Sequence, residues 1–205
     1  MHSERVTAKR AALRLRIIKV ALEAFAARGF EATTTVAIAD SLHMTGPALY
    51  HYFQTKEELL FACMDHILQE LHSTLSTIAS GSGHPGARIA DVVRAQLKVE
   101  LKIGGVAQLI NAHLYGPSYL IEVLSPVRRN ALRLRQRALV EIFRELIAEG
   151  VQAQEFDVSD VRVAAFNVLA LIQYTSVWYR PRRGRPLSVV LDAQVAEVLK
   201  LLGVA

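Results

Sequence analysis

One cysteine, one tryptophan and six prolines are all that 205 residues contain of these types. A lone cysteine, Cys63, excludes an intramolecular disulfide and fits a reducing compartment; at a helical position it reads as packing. No run alternates apolar and polar residues between hairpin turns, so strands are not expected and the chain reads as all-α. The chain has no Gly-x-Ser-x-Gly elbow, no paired Cys/His nucleophile signature and no dinucleotide fingerprint, which argues against an enzyme. The stretch from Gly81 to Gly86 is glycine-rich but lacks the Gly-Lys-Ser/Thr ending of a phosphate loop, so it reads as a connection. His72 and His113 come with no HxxxH spacing and no Cys/His cluster, so neither a metal nor any other cofactor is expected. Met1 to Arg10 is polar and shows no secretory h-region, which points to the cytoplasm.

What the chain does contain is 52% hydrophobic residues, 21% charged residues and a net charge of +5. That composition is globular and cationic, suited to polyanionic partners. Apolar residues recur at helical spacing over Thr7 to Gly29, over 55–80, 87–102, 105–114, 126–149, 158–179 and 188–202. With two short helices between 33 and 53, about nine helices are expected. Gly29 reads as the residue just past the end of the first helix, whose outer side carries Lys9, Arg10, Arg14, Arg16 and Lys19. These are solvated charge or, for Lys9 and Arg10, a non-specific grip on a nucleic-acid backbone.

The chain is organised around Thr33 to Phe53, TTTVAIADSLHMTGPALYHYF. Ile38, Ala39 and Leu42 give the first short helix its buried stripe. In the second, Leu49, Tyr52 and Phe53 point inward together, leaving Gly46, Ala48, Tyr50 and His51 outside. Thr45 is placed to cap this second helix, and Pro47 is tolerated in its first turn, where the N–H groups have no intrahelical partner. The outward face is small, polar and aromatic, which suits a helix lying in the major groove of DNA. Thr55 and Glu58 then form a capping box that starts the fourth helix, with Lys56 in its first turn.

This segment resembles the helix-turn-helix of the TetR (tetracycline-repressor-like) family through Thr33, Thr34, Ile38, Ala39, Thr45, Pro47, Ala48, Leu49, Tyr50, Tyr52, Phe53, Thr55, Lys56, Glu57, Glu58 and Leu59. The chain departs from the pattern at His43, where glycine is usual in the turn, and at Val36 and Ala37, which replace an Arg-Asp pair. His tolerates positive φ, so the turn is expected to survive. The resemblance implies a three-helix DNA-binding head over residues 1–54 and a ligand-binding and dimerisation domain over 55–205. It also implies a repressor that binds double-stranded DNA at a near-palindromic operator. Thr34, Thr45, Gly46, Pro47, Ala48, Tyr50, His51 and Lys56 are the candidate DNA contacts. Of these, Thr45, Tyr50 and Lys56 are assigned to phosphates, and Ala48 with His51 to bases.

In the second half, Arg128, Leu132, Arg135, Leu139, Ile142, Phe143 and Leu146 share one face of the 126–149 helix, so two arginines continue an apolar stripe. Arg129, Arg133 and Arg137 form an adjacent row, with Arg144 near it; these rows are a solvated face with snorkelling stems or an anion site. Candidate effector contacts are Met64, Leu68, His72, Leu109, His113, Tyr119, Arg128, Arg135, Phe166, Tyr174 and Trp178. Residues 158–179 are apolar almost all round, but Asp160, Arg162, Asn167 and Gln173 interrupt them, which argues against a membrane span and for cover from a second copy. Trp178 to Ser188 and the Ser125-Pro-x-Arg-Arg start of the long helix are similar to a branch of the family whose known effectors include acyl-CoA thioesters. That likeness implies an acyl-CoA effector and a homodimer joined by the last two helices. A lipophilic drug, a fatty acid or an aromatic acid is the alternative effector. A helical bundle that binds or converts a small molecule without a DNA target is the more distant alternative.

Overall fold

The structure, a computed structural model, describes residues 2–103, 123–179 and 185–204. Eight helices and no strand are found among the described residues: α1 (His2–Arg28), α2 (Thr35–Ser41), α3 (Gly46–Tyr50), α4 (Lys56–Ala79), α5 (Pro85–Ile103), α6 (Pro126–Gln152), α7 (Val161–Trp178) and α8 (Leu187–Leu201). The expected helix at 105–114 lies outside the described residues, as do Arg180 to Gly184 of the junction between α7 and α8.

Local chemistry sets the helix ends. Gly29 takes φ +82° and donates its N–H to the Phe25 carbonyl at 2.9 Å, closing α1 where the chain needs a left-handed residue. Thr34, Thr45, Thr55, Ser125 and Asp160 cap α2, α3, α4, α6 and α7 with side-chain oxygens that accept backbone N–H groups. Pro85 opens α5 and Pro126 opens α6, first-turn positions where a missing N–H costs nothing. Helix α5 therefore begins two residues earlier than its apolar periodicity alone indicates.

The core is continuous. Ile17, Ala21 and Phe25 of α1 meet Ile38, Leu49 and Phe53, and Leu59, Leu60 and Cys63 of α4 carry the packing on to Leu75 and into α5 and α6. Helix α4 thus belongs to both halves of the molecule and joins them mechanically. Helix α5 is enclosed by α4, α6, α7 and α8.

At the end of the body farthest from the head, several contacts lock the helices together. Arg88, buried on α5, donates to the Ala79 carbonyl at the end of α4 at 2.6 Å and pairs with Glu149 of α6. A Cβ on Gly150 would meet the Phe156 ring at 2.2 Å, so only glycine lets that ring close over α6. The Asp157 N–H donates to the Leu202 carbonyl at 2.9 Å, tying the α6–α7 connection to the end of α8.

Candidate nucleic-acid interface and effector site

Three short-range hydrogen bonds shape the head. The Thr33 hydroxyl, fully buried, donates to the Gly29 carbonyl at 2.8 Å and approaches the Ala24 carbonyl at 3.2 Å, binding the α1–α2 turn to α1. His43 takes φ +54° in the α2–α3 turn, the left-handed conformation expected of it in place of glycine. The Ala48 N–H donates to Thr45 Oγ1 at 3.4 Å, so α3 starts where the sequence places it.

Helix α3 has five residues, Gly46–Tyr50, and buries Leu49 alone within that span; Phe53 just beyond it is buried and Tyr52 is partly buried. Thr45, Pro47, Tyr50 and His51 are exposed, while Gly46 and Ala48 are half-buried. Tyr50 lies with its hydroxyl 3.2 Å from Thr35 Oγ1, a bond that ties the exposed face of α3 to the start of α2. Thr34 is occupied by its cap to the Ala37 N–H at 3.1 Å, so it shapes α2 as well as facing solvent.

Lys56 sits beside this face. Its ammonium lies 4.2 Å from the centroid of the Phe30 ring and donates to the Glu31 carbonyl at 3.2 Å. Those partners orient the charge without cancelling it. Glu58 accepts the Gln54 N–H at 2.8 Å and donates its own N–H to Thr55 Oγ1 at 3.1 Å, the expected capping box with its return bond reaching one residue further back.

Arg14 of α1 stacks over Phe53 with its guanidinium 4.7 Å from the ring centroid. Behind it, burial pushes the Cys63 thiol far above the ordinary thiol range, a shift that the nearby Arg14 charge only partly opposes. Cys63 is therefore a neutral packing residue whose Sγ faces the Ile18 carbonyl, and it does not neutralise Arg14.

The body distributes its candidates differently from the sequence expectation. Arg135 donates from Nε to Asp65 Oδ1 of α4 at 2.9 Å, and Arg128 lies 3.9 Å from Glu58 and 5.6 Å from the Phe61 ring centroid. Both bridge α6 to α4, each meeting a carboxylate from a helix that is distant in sequence, so neither charge stands unpaired. Met64 and Leu68 are buried in the core, and His72 is half-buried. A hollow of about 460 Å³ between α1, α4 and α5 is lined by His66 and not by His72, with Leu22, Ile67 and Val99 among its apolar walls. Phe166, Tyr174 and Trp178 do not line an interior: they are 40%, 65% and 51% exposed along the outer side of α7. Leu109, His113 and Tyr119 lie outside the described residues.

Another group comes together instead. Between α6 and α7 a groove of about 460 Å³ is lined by Arg133, Arg137, Arg144, Arg162, Val140, Glu141 and Phe166. Glu141 holds Arg144 at 2.7 Å. Arg133, Arg137 and Arg162 have no carboxylate partner among the described residues. Arg133 and Arg137 stand one turn apart in the sequence, but nothing local reveals that Arg162 joins them, since it comes from a different helix.

A short capped helix exposed beside an aromatic-held lysine, on a head that shares one core with a helical body, defines a helix-turn-helix DNA-binding protein with a companion domain. The model of the tetR family of bacterial regulatory proteins matches residues 17–63, and the model of the tetracyclin repressor-like C-terminal domain matches residues 82–199. The chain belongs to the tetR family and is a DNA-binding transcriptional regulator, not an enzyme.

Among solved structures, a TetR/AcrR-family regulator from Thermobifida fusca is 34% identical with a TM-score of 0.76, covering 92% of this chain and 97% of that one. AibR, solved in complex with isovaleryl coenzyme A and operator DNA, is 22% identical with a TM-score of 0.74 over 90% of this chain and 96% of that one. The HTH-type transcriptional repressor KstR2 of Mycolicibacterium smegmatis is 26% identical over 173 residues, 84% of this chain and 80% of its own length. The match to the nucleoid occlusion factor SlmA of Pasteurella multocida, 26% over 86 residues, takes in 42% of this chain and 43% of that protein.

Proposed function

We propose that the protein is a homodimeric, cytoplasmic repressor that leaves a near-palindromic operator when it binds an acyl-CoA or a similar amphipathic anion. The observation that carries this reading is the α6–α7 groove. Arg133, Arg137 and Arg162 line it with a half-exposed Phe166; the groove's one carboxylate, Glu141, is held by Arg144, and none of the three arginines has a carboxylate partner among the described residues. Guanidinium groups make paired, charge-assisted bonds to phosphate, and an aromatic ring offers a face for a planar or apolar part of the same ligand. The solved complex of AibR with isovaleryl coenzyme A is compatible with this fold carrying such a ligand.

The second copy enters through α7 and α8. Val163, Phe166, Tyr174, Val177 and Trp178 form one exposed stripe on α7, and Leu187 and Val189 are exposed at the start of α8. A patch of that size on a monomer calls for a partner, and two-fold pairing sets two α3 helices side by side for two half-sites. Because Phe166 belongs to both the stripe and the groove, an effector there also touches the seam between subunits. A shift in the setting of α4 then separates the heads, for which about 1–3 kcal/mol of coupling suffices.

The test is fluorescence anisotropy on a duplex selected from a random library, with acyl-CoA thioesters, free fatty acids and lipophilic drugs added in turn. Release by a thioester, weakened at least tenfold in Arg133→Ala/Arg162→Ala with DNA affinity unchanged, supports the reading. Release by a free fatty acid or drug alone discards the thioester and keeps the regulator. Release by a thioester that the double variant leaves untouched removes the groove from the mechanism.

A further inference from the structure

We infer that the hollow between α1, α4 and α5 is a small-molecule site of its own, separate from the α6–α7 groove, and that it takes a zwitterion with an apolar body. That is the chemistry of an apolar amino acid or a short apolar peptide. The three helices belong to different parts of the molecule. Helix α1 is the scaffold of the head, α5 lies in the body, and both pack on α4 while meeting each other over a much smaller contact. The space left at that joint measures about 460 Å³, within the range of small-molecule pockets, roughly 300–1,000 Å³. Its walls are apolar on all three sides. Ile67 and Leu71 of α4 are buried, while Leu22 and Ala26 of α1 and Val99 and Ile103 of α5 are only partly covered. Each helix thus turns incompletely covered apolar surface toward one space, and covering it is the gain that an apolar ligand body brings.

The charges that line the hollow are of both signs. Lys19 and Glu23 of α1, Glu70 of α4 and Lys102 of α5 are exposed, and His66 of α4 is half-buried. Lys19 and Glu23 stand four residues apart, as do His66 and Glu70, a spacing at which opposite charges can meet across one helical turn. None of the five has an ion-pair partner among the described residues. Two ammonium groups and two carboxylates therefore stand open around one apolar space. A ligand that is only an anion would meet Glu23 and Glu70 as well as the lysines, and one that is only a cation would meet the lysines as well as the glutamates. A zwitterion answers both signs at once. Because the walls come from the head, the body and the helix they share, its binding favours one setting of the head, and its coupling to DNA is reciprocal.

The experiment titrates the full chain by calorimetry with L-phenylalanine, the dipeptide leucyl-phenylalanine, N-acetyl-phenylalanine, which keeps only the carboxylate, and phenylalanine amide, which keeps only the ammonium. One of the two zwitterions should bind at least tenfold more tightly than either single-charge analogue, and which of them does so tells a free amino acid from a peptide. Ala26→Trp, which fills the hollow, should weaken that binding at least tenfold, whereas Arg133→Ala/Arg162→Ala should leave it unchanged. Glu23→Lys/Glu70→Lys makes the surround cationic and should turn the preference toward N-acetyl-phenylalanine, a gain that a misfolded variant cannot produce. Affinity for the zwitterion should differ at least threefold between the free protein and its complex with a selected operator duplex. Absence of binding by both zwitterions, a preference for a single-charge analogue, or binding that Ala26→Trp leaves intact overturns the site. Equal affinity with and without the duplex overturns its link to the head.

Discussion

Cations in the head and cations in the body are held by different kinds of partner. Lys56 rests on the Phe30 ring and the Glu31 carbonyl, and Arg14 on the Phe53 ring. Arg88, Arg128, Arg135 and Arg144 each face a glutamate or aspartate. Rings and carbonyls fix a direction and leave the charge intact; carboxylates fix a direction and remove it. The difference separates charges aimed at an outside anion from charges that hold helices together. By the same criterion Arg133, Arg137 and Arg162 belong with the head's cations, although they lie in the body.

The largest expected effect breaks the comparison on the body side. Arg88→Ala removes the buried guanidinium that clasps Ala79 and Glu149, and thermal unfolding should show a loss of about 2–3 kcal/mol. DNA affinity measured well below the new Tm should stay within twofold. On the head side, Lys56→Ala should weaken binding to every duplex by about tenfold, near 1.4 kcal/mol, and lower the salt slope by about 1. Stability should hardly move, and a large drop in Tm would show that Lys56 serves the fold instead.

Cys63 sharpens the comparison through pH. Its folded thiol is raised above the ordinary thiol value by burial, so its contribution to stability is complete below about pH 8.5 and declines above it as the unfolded chain ionises. The stability difference between the wild type and Cys63→Ala should therefore fall by about 1.4 kcal/mol per pH unit above that point, measured by urea unfolding. A flat difference would mean that Cys63 ionises in the fold and neutralises Arg14. The smallest effect is Arg135→Ala: its partner Asp65 lies at a half-exposed surface, so the loss should stay below about 1 kcal/mol. A loss of effector response in that variant would return Arg135 to the ligand site.

How legible each half is follows from how far apart its determinants lie. Thr45, Pro47, Thr55 and Glu58 act on neighbours within four residues, so caps, turn and the short α3 can be read from the chain directly. His43 likewise carries its conformational tolerance in its side chain. On its own helix, an arginine in an apolar stripe looks available, and the sequence shows Arg128 and Arg135 in that setting. Their partners Glu58 and Asp65 sit at the head end of α4, about 70 residues away in sequence, and no periodicity shows such a pairing. Tyr174 and Trp178 lie on the outer side of α7 for a related reason: an apolar helix shows that it needs cover but not which of its faces the rest of the chain already covers.

One contact at the far end of the body carries a mechanical consequence. Helix α4 has 24 residues, about 36 Å, and the Arg88 clasp on Ala79 anchors its last turn. Anchored there, α4 is a lever with its fulcrum at one end and the reading head at the other. A tilt of about 5° displaces the head end by roughly 3 Å, close to the 3.4 Å rise between stacked bases. In the proposed repressor, a few degrees at the fulcrum, taken up by small shifts where α4 packs on α5 and α6, would be enough to put α3 one base step out of register with a half-site.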